Sequence, residues 1–499
     1  MTAKNEGHMS AWDHEFAVPF INEGHFRVTD PGPLRAPIFG FSLRRNKALR
    51  LVLESRTAPQ ARSTAHQYPD GTTRITTECV SLENIGGVKV TLKGVVPYRV
   101  QTSIDHQTKV EEHVEEARIH ALEAQVLSGV EAYYTIDWLE NLPSSPFVWP
   151  DNIRTSTETS TARTIGLGED GVTLFSKNTR DSLSCSAVKI VVAGTQIYVC
   201  ALRGGGDDLI TKPGCIIYVG TPDDEFRKKV RNSISFALGV YLVELGSTVY
   251  SKDWEIVSFT ACSAYSVDGK ALDLVVLPPA PMGARWRFAI DRIPFTRLVN
   301  AAFQKYEALD FGNLGWAYWH ALCATPHIAA VHFGAAIELL LRQYAATKPD
   351  RFPQGIIGDR LMWKQLSAEV EEAISKLGIP EAQKEALREN IGGLNRVHQR
   401  DTMDAILKDI GIALGPDESL AWKRRNDAAH GIAMEDGEEL DVIRDIKLLK
   451  VMFHRMLLRI INGADTYHDY ATPGFPIRRL AEPVPPAQAE QGLRSDRAG

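Results

Sequence analysis

The residues of this chain best suited to chemistry lie in one short run, Trp422-Lys423-Arg424-Arg425-Asn426-Asp427-Ala428-Ala429-His430-Gly431. An imidazole exchanges protons near neutral pH, a guanidinium grips phosphate oxygens, and an amide orients either group. The letters alone say little, because 35 arginines and 14 histidines in 499 residues put a His five places after an Arg about once by chance. The setting says more. At roughly 100° per residue, Asn426 and His430 fall about 40° apart on one helical face, while Arg425 points about 140° away from His430. One helix therefore does not converge all three side chains. A two-fold axis that sets the helix against its copy does, and it doubles every group in one cleft.

Gly431 directly after His430 is a helix C-terminal signal, and a last-turn imidazole is favoured as a cation by the helix dipole. Lys423 and Arg424 add local positive charge suited to holding RNA. This set fits metal-free cleavage of RNA. One imidazole takes the proton of a ribose 2′-hydroxyl, the hydroxyl attacks the adjacent phosphorus, and a guanidinium holds the developing charge. A second imidazole protonates the leaving 5′-oxygen, and DNA, lacking the 2′-hydroxyl, is no substrate. The plain alternative is that Arg425 and His430 cap and salt-bridge a surface helix.

Other patterns carry less. Gly166-Leu167-Gly168-Glu169-Asp170-Gly171 spells a dinucleotide-binding pattern, but Val172 to Phe175 reads as a strand where a helix would be needed, so a hairpin turn is expected. Gly204-Gly205-Gly206 lacks the Lys and Ser/Thr of a phosphate loop. His327 and His332 have no acidic or Cys partner at metal spacing and read as packing residues; His113 and His120 read as part of a solvated face. Tyr198, Tyr218 and Tyr241 read as strand residues used for packing. Six cysteines without a Cys-x-x-Cys pair read as reduced thiols. No metal or cofactor is expected.

The elements that must position the 422–431 run change character near residue 290. Before it, runs such as Val88, Val90 and Leu92 against Lys89, Thr91 and Lys93 alternate between faces, as half-buried strands do. Further strands are expected at 187–193, 197–202, 215–219, 240–245 and 256–260. Helices are expected after Thr221, with Thr221 and Asp224 as a capping box, and over the Glu-rich stretch 110–126. After 290 the apolar period becomes about 3.6, predicting helices at 298–305, 327–344, 361–377, 381–394, 401–412, 418–430 and 439–461. The expected class is α+β, a mostly antiparallel β-rich region at 15–290 followed by an all-α region at 291–465. A flexible N-terminus (1–14) and a loose Pro-rich tail (466–499) complete the division.

A net charge of −6 argues against coating a polyanion through the overall field, so any RNA must be gripped locally. No secretory signal or membrane span is read, and a cytoplasmic protein is expected.

Three segments together, Leu394-Asn395-Arg396, the helix from Met403 to Ile412, and Leu420 to Gly431, resemble the ApeA-like HEPN family. Its hallmark is Arg, usually Asn next, about three variable residues, then His and often Gly; Arg425, Asn426, His430 and Gly431 match each place. Ala335-Ala336-Ile337-Glu338-Leu339-Leu340 is similar to the family's earlier helix, whose acidic residue assists the site and maps to Glu338. Ile337 departs from the family's small aliphatic at that place. The resemblance covers about 295–465, and more loosely 221–248. It implies an all-α HEPN domain in a bacterial antiphage endoribonuclease acting by abortive infection. Such a protein works as a homodimer without metal on RNA, with tRNA the expected target. The β-rich region would sense a phage-derived trigger or restrain the nuclease. Arg425, Asn426, His430 and Glu338 are then the catalytic set. The competing reading is a non-catalytic ligand- or protein-binding sensor or scaffold in which the helical domain only dimerises.

Overall fold

The computed structural model describes residues 17–63, 78–104, 111–165, 172–202, 211–283, 288–353, 355–395, 397, 399–429 and 439–486. The chain divides into two compact units, Met1–Asn300 and Ala301–Gly499. The class is α+β, with strands in the first unit and helices dominating the second.

In the first unit an eleven-stranded sheet runs from Arg27–Asp30 at one edge to Asp151–Ile165 at the other. Near its middle Tyr134–Glu140 pairs antiparallel with both Gly214–Val219 and Val243–Tyr250. A four-stranded antiparallel sheet includes Leu51–Ser63 and Glu111–Ile119. Val90 and Leu92 are buried between exposed Lys89 and Lys93, as the alternation predicts.

The Glu-rich stretch is a correction: it forms two strands, Glu111–Ile119 and Ala121–Gln125, and not a helix. Glu115, Ala117, Ile119, Leu122 and Ala124 are buried. That near-regular alternation outweighs the helix propensity of glutamate. The buried Glu115 carboxylate accepts from the Arg35 backbone N–H at 2.9 Å. The long strands Asp151–Ile165 and Val172–Val192 pair up to Ile165 against Val172, as a hairpin requires. The glycine run at 166–171 lies outside the described residues, as does Gly204-Gly205-Gly206.

Among the described residues α1 (Ala17–Glu23) and α2 (Asp224–Leu238) lie wholly within this unit. The cap of α2 is Asp223, which accepts from the Phe226 N–H at 2.7 Å; it displaces the expected Thr221 cap by two residues. Gly239 closes the helix in the left-handed conformation, φ 64°. Inside, buried Asp137 takes ion pairs from Arg227 and Arg231 of α2 and a hydrogen bond from the Tyr218 hydroxyl at 3.1 Å. Tyr218 is thus a core residue, as expected.

The second unit is built from helices. After α3 (Arg292–Gln304) come α4 (Phe311–Cys323), α5 (Pro326–Ala346), α6 (Arg360–Ser375) and α7 (Glu381–Leu394). They are followed by α8 (Gln399–Ile410), α9 (Pro416–Ala429) and α10 (Glu439–Ile461). The periodicity found all of these except α4, whose Phe311, Leu314, Tyr318 and Ala321 are nonetheless buried at helical spacing. Helix α10 is the axis of this core, with every residue from Leu448 to Leu458 buried.

The expected loose tail is corrected over 466–486. Thr466–His468 pairs with Ile477–Arg479, and Tyr467, Tyr470, Leu480 and Val484 are buried. Those apolar anchors supply enough buried area to order the segment despite its prolines. Residues 1–16 and 487–499 lie outside the described residues. Among the described residues no helix is long and apolar enough to cross a membrane.

Candidate functional site

The described part of the 422–431 run, Trp422 to Ala429, lies in α9. His430 and Gly431 lie outside the described residues, as does the side chain of Asn426. What the structure does settle is how α9 is seated and where Arg425 goes.

The buried stripe of α9 is Glu418, Ala421 and Arg425, spaced three and four apart on one face. Two of the three are charged, and both charges are met. Glu418 and Arg455 form an ion pair with both side chains fully buried. Glu418 also accepts from the Gly415 N–H at 2.7 Å, and Arg455 donates to the carbonyls of Ala413 (3.0 Å) and Leu480 (3.2 Å). Outside this stripe, Asp417 pairs with Arg444 at 2.6 Å.

Arg425 turns inward against α5. Its guanidinium carbon stands 3.3 Å from the centroid of the Trp422 ring, one nitrogen donates to the Trp422 carbonyl, and another meets a Glu338 carboxylate oxygen at 2.5 Å. Arg425 is 8% exposed. Its approach is possible because residue 334 is glycine: a Cβ there would stand 2.6 Å from Arg425 Cδ and 2.9 Å from Nε. Gly334 and Glu338, one helical turn apart on α5, thus form the seat of the guanidinium.

The two segments singled out in the sequence, 87 residues apart, are therefore brought together at Arg425 and Glu338. The remaining basic residues differ. Arg424 lies 3.6 Å from Asp445, whose carboxyl is pushed up chiefly by burial, so its charge is partly answered within α9 and α10. Lys423 is exposed.

Glu338 also lines the wall of an 840 Å³ pocket, with Trp316 and Asn313 from α4, Arg342 from α5, and Thr402 from α8. Volumes of this order suit a small-molecule or nucleotide-sized ligand. Sequence reasoning missed this pocket because it missed α4. The available signal was Trp316, an aromatic standing outside the apolar stripe of α4, and Arg342, four residues after Glu338.

Buried ionisable groups also lie on α10. Burial, then Lys447, pushes Lys450 down to about 8; its ammonium nitrogen stands 4.8 Å from the Tyr470 ring centroid. Burial, then Lys450, holds His454 well below the ordinary histidine range, and the Tyr318 hydroxyl lies 2.8 Å from its Nε2. Among the described residues no three or more His, Cys, Asp or Glu side chains cluster as a metal site. His332 is half-buried, and the side chain of His327 is outside the described residues. All six cysteines are free thiols, Cys200 and Cys215 facing each other across paired strands.

Comparison with models of known protein families, with curated proteins and with solved structures finds no match to this chain. The site therefore has to be read from its own geometry.

Proposed function

We propose that this protein is a metal-independent endoribonuclease of the HEPN type, acting as a homodimer in antiphage defence. The observation that carries the reading is the seating of Arg425: α9 delivers it onto α5, where Glu338 and Trp422 hold it. The resemblance assigned Glu338 to the same site as Arg425 without naming its partner, and the contact between these distant segments supports that assignment. In this reading His430 is the general acid and base, and Asn426 orients the imidazole or the phosphate. Glu338 fixes Arg425, while Lys423 and Arg424 attract RNA.

The seating refines the part given to Arg425. A guanidinium enclosed to this degree and already bound to a carboxylate acts on a phosphate by sharing its remaining donors, or by holding the end of α9 in place. Its substitution should therefore impair both catalysis and folding. RNA, with tRNA foremost, is the substrate; the β-rich unit is the sensor of a phage-derived trigger, and the cytoplasm is the site of action.

The burial of Arg425 also favours a second reading, in which the pair only ties α9 to α5 and the helical unit serves to dimerise a sensor or scaffold. His430→Ala separates the two. Sequencing of RNA ends after induction in infected cells should show 2′,3′-cyclic phosphates with the parent protein and none with the variant. Unchanged cleavage and growth arrest by a folded His430→Ala protein would remove the nuclease reading.

A further inference from the structure

The arginines around the proposed nuclease centre are almost all engaged. Arg425 binds Glu338, Arg444 binds Asp417, Arg455 binds Glu418, Arg351 binds Asp409 and Arg424 approaches Asp445. Arg342 differs. It is exposed on α5, one turn beyond Glu338, and lines the 840 Å³ pocket without an ion pair or hydrogen bond to any described residue. A guanidinium left open at the edge of a cavity is a ready partner for a phosphate, which it meets bidentately.

Trp316 lines the same pocket from α4 and is 56% exposed. A single exposed aromatic is ordinary on a protein surface; what sets Trp316 apart is its place on the wall of a cavity beside Arg342 and Glu338. The indole is held in place, because the His320 ring packs against it at a centroid distance of 3.9 Å and His320 Nδ1 lies 2.7 Å from the Trp316 carbonyl. It is therefore a fixed flat surface that a ligand meets without further ordering cost. Asn313, also exposed on α4, and the Glu338 carboxylate bring hydrogen-bonding groups to the same wall.

We infer that this pocket is a nucleotide subsite: a nucleobase stacks on Trp316 while the adjoining phosphate is taken by Arg342. The inference rests on the nuclease reading and names where its RNA is held. The aromatic face accepts any base, since every base has a π surface, which suits a site that holds single-stranded RNA with little sequence preference. The Glu338 carboxylate, paired with Arg425, presents oxygen acceptors, so it faces a ribose hydroxyl or a base amino group and leaves the phosphate to Arg342. Arg425, bound to that same carboxylate, fixes the position of the sugar through Glu338. Trp316 and Arg342 are thus binding residues, and Glu338 links their subsite to α9.

The test uses the full chain carrying His430→Ala, so that RNA is bound and not consumed, and follows the anisotropy of a labelled short single-stranded RNA. Trp316→Ala should weaken binding about tenfold or more, whereas Trp316→Phe, which keeps a stacking face, should stay within about threefold. Arg342→Ala should lower the slope of log affinity against log salt by about 0.7, the loss of one phosphate contact on a single strand, and Arg342→Lys should restore it. Both side chains are exposed, so the thermal transition of each variant should match the parent and shows that the fold is kept.

If the alanine variants bind RNA with unchanged affinity and salt slope while the protein with His430 cuts RNA, the subsite is refuted and the nuclease stands. If binding depends on Trp316 and Arg342 but the protein with His430 generates no RNA ends, the subsite stands and the nuclease falls. A folded parent that binds no RNA removes both, and leaves the pocket to a ligand of another class.

Discussion

Gly334→Ala offers a test of how Arg425 is seated, because its effect should change sign with the residue at 425. In an isolated helix the change stabilises by about 1 kcal/mol, since alanine is the better helix former. In this chain the new methyl would stand 2.6 Å from Arg425 Cδ. Ordinary contact lies near 3.4 Å or beyond, so the arginine must retreat by roughly 0.8 Å. It cannot do so freely, being held by the Trp422 ring on one side and the Glu338 carboxylate on the other. Overpacking of this kind costs about 1–3 kcal/mol, so the net effect in the parent is a loss of about 0–2 kcal/mol. With Arg425→Ala already present the clash is gone, and Gly334→Ala should stabilise by about 1 kcal/mol. The coupling between the two positions is then about 1–3 kcal/mol, in the range measured for touching residues. Urea unfolding of the four proteins reads it out: with a slope of about 2 kcal/mol per molar, the midpoint moves down or stays level in one background and up by about 0.5 M in the other. A shift of the same sign and size in both would mean that Arg425 does not lie across α5 at Gly334.

Two further outcomes follow from buried charge. Glu418→Ala leaves the Arg455 guanidinium fully enclosed without its carboxylate and should destabilise by about 3–5 kcal/mol, seen as a large fall in melting temperature; a fall like that of a surface Glu→Ala variant contradicts the described pairing. Lys450, pushed down to about 8 by burial, returns to about 10.4 on unfolding, so the unfolded chain binds more protons between those values and stability rises as pH climbs through that window. Below about pH 8 the full penalty is present. Lys450→Met should therefore raise the melting temperature at pH 7 and much less at pH 10, and an equal gain at both would contradict the assigned burial.

Much of the architecture is legible in the letters because burial imposes a period. Val90 and Leu92 announced a strand, and Leu449, Met452, Phe453 and Met456 announced α10. The Glu-rich stretch misled because glutamate favours helices in isolation, and only Ala117, Ile119, Leu122 and Ala124 betray the two-residue alternation. Helix α4 went unread since Gly312 and Gly315 dilute its propensity and Trp316 breaks its apolar stripe. At the site, Arg425 was singled out by residue type and spacing, and Glu338 by resemblance alone. Their partnership depends on how α5 and α9 pack, and Arg342 with Trp316 depends on how α4 lies beside α5. No local pattern encodes these tertiary juxtapositions.

The inward face of α9 presents carboxylate and guanidinium where most buried helices present hydrocarbon. Greasy surfaces tolerate sliding, whereas these partners engage at one rotation and one height, so the helix clicks into a single notch. Warming lowers the cost of stripping water from such ions while the apolar contribution levels off. The segment that carries the motif is thus clamped by forces that fade more slowly with heat than purely apolar contacts do.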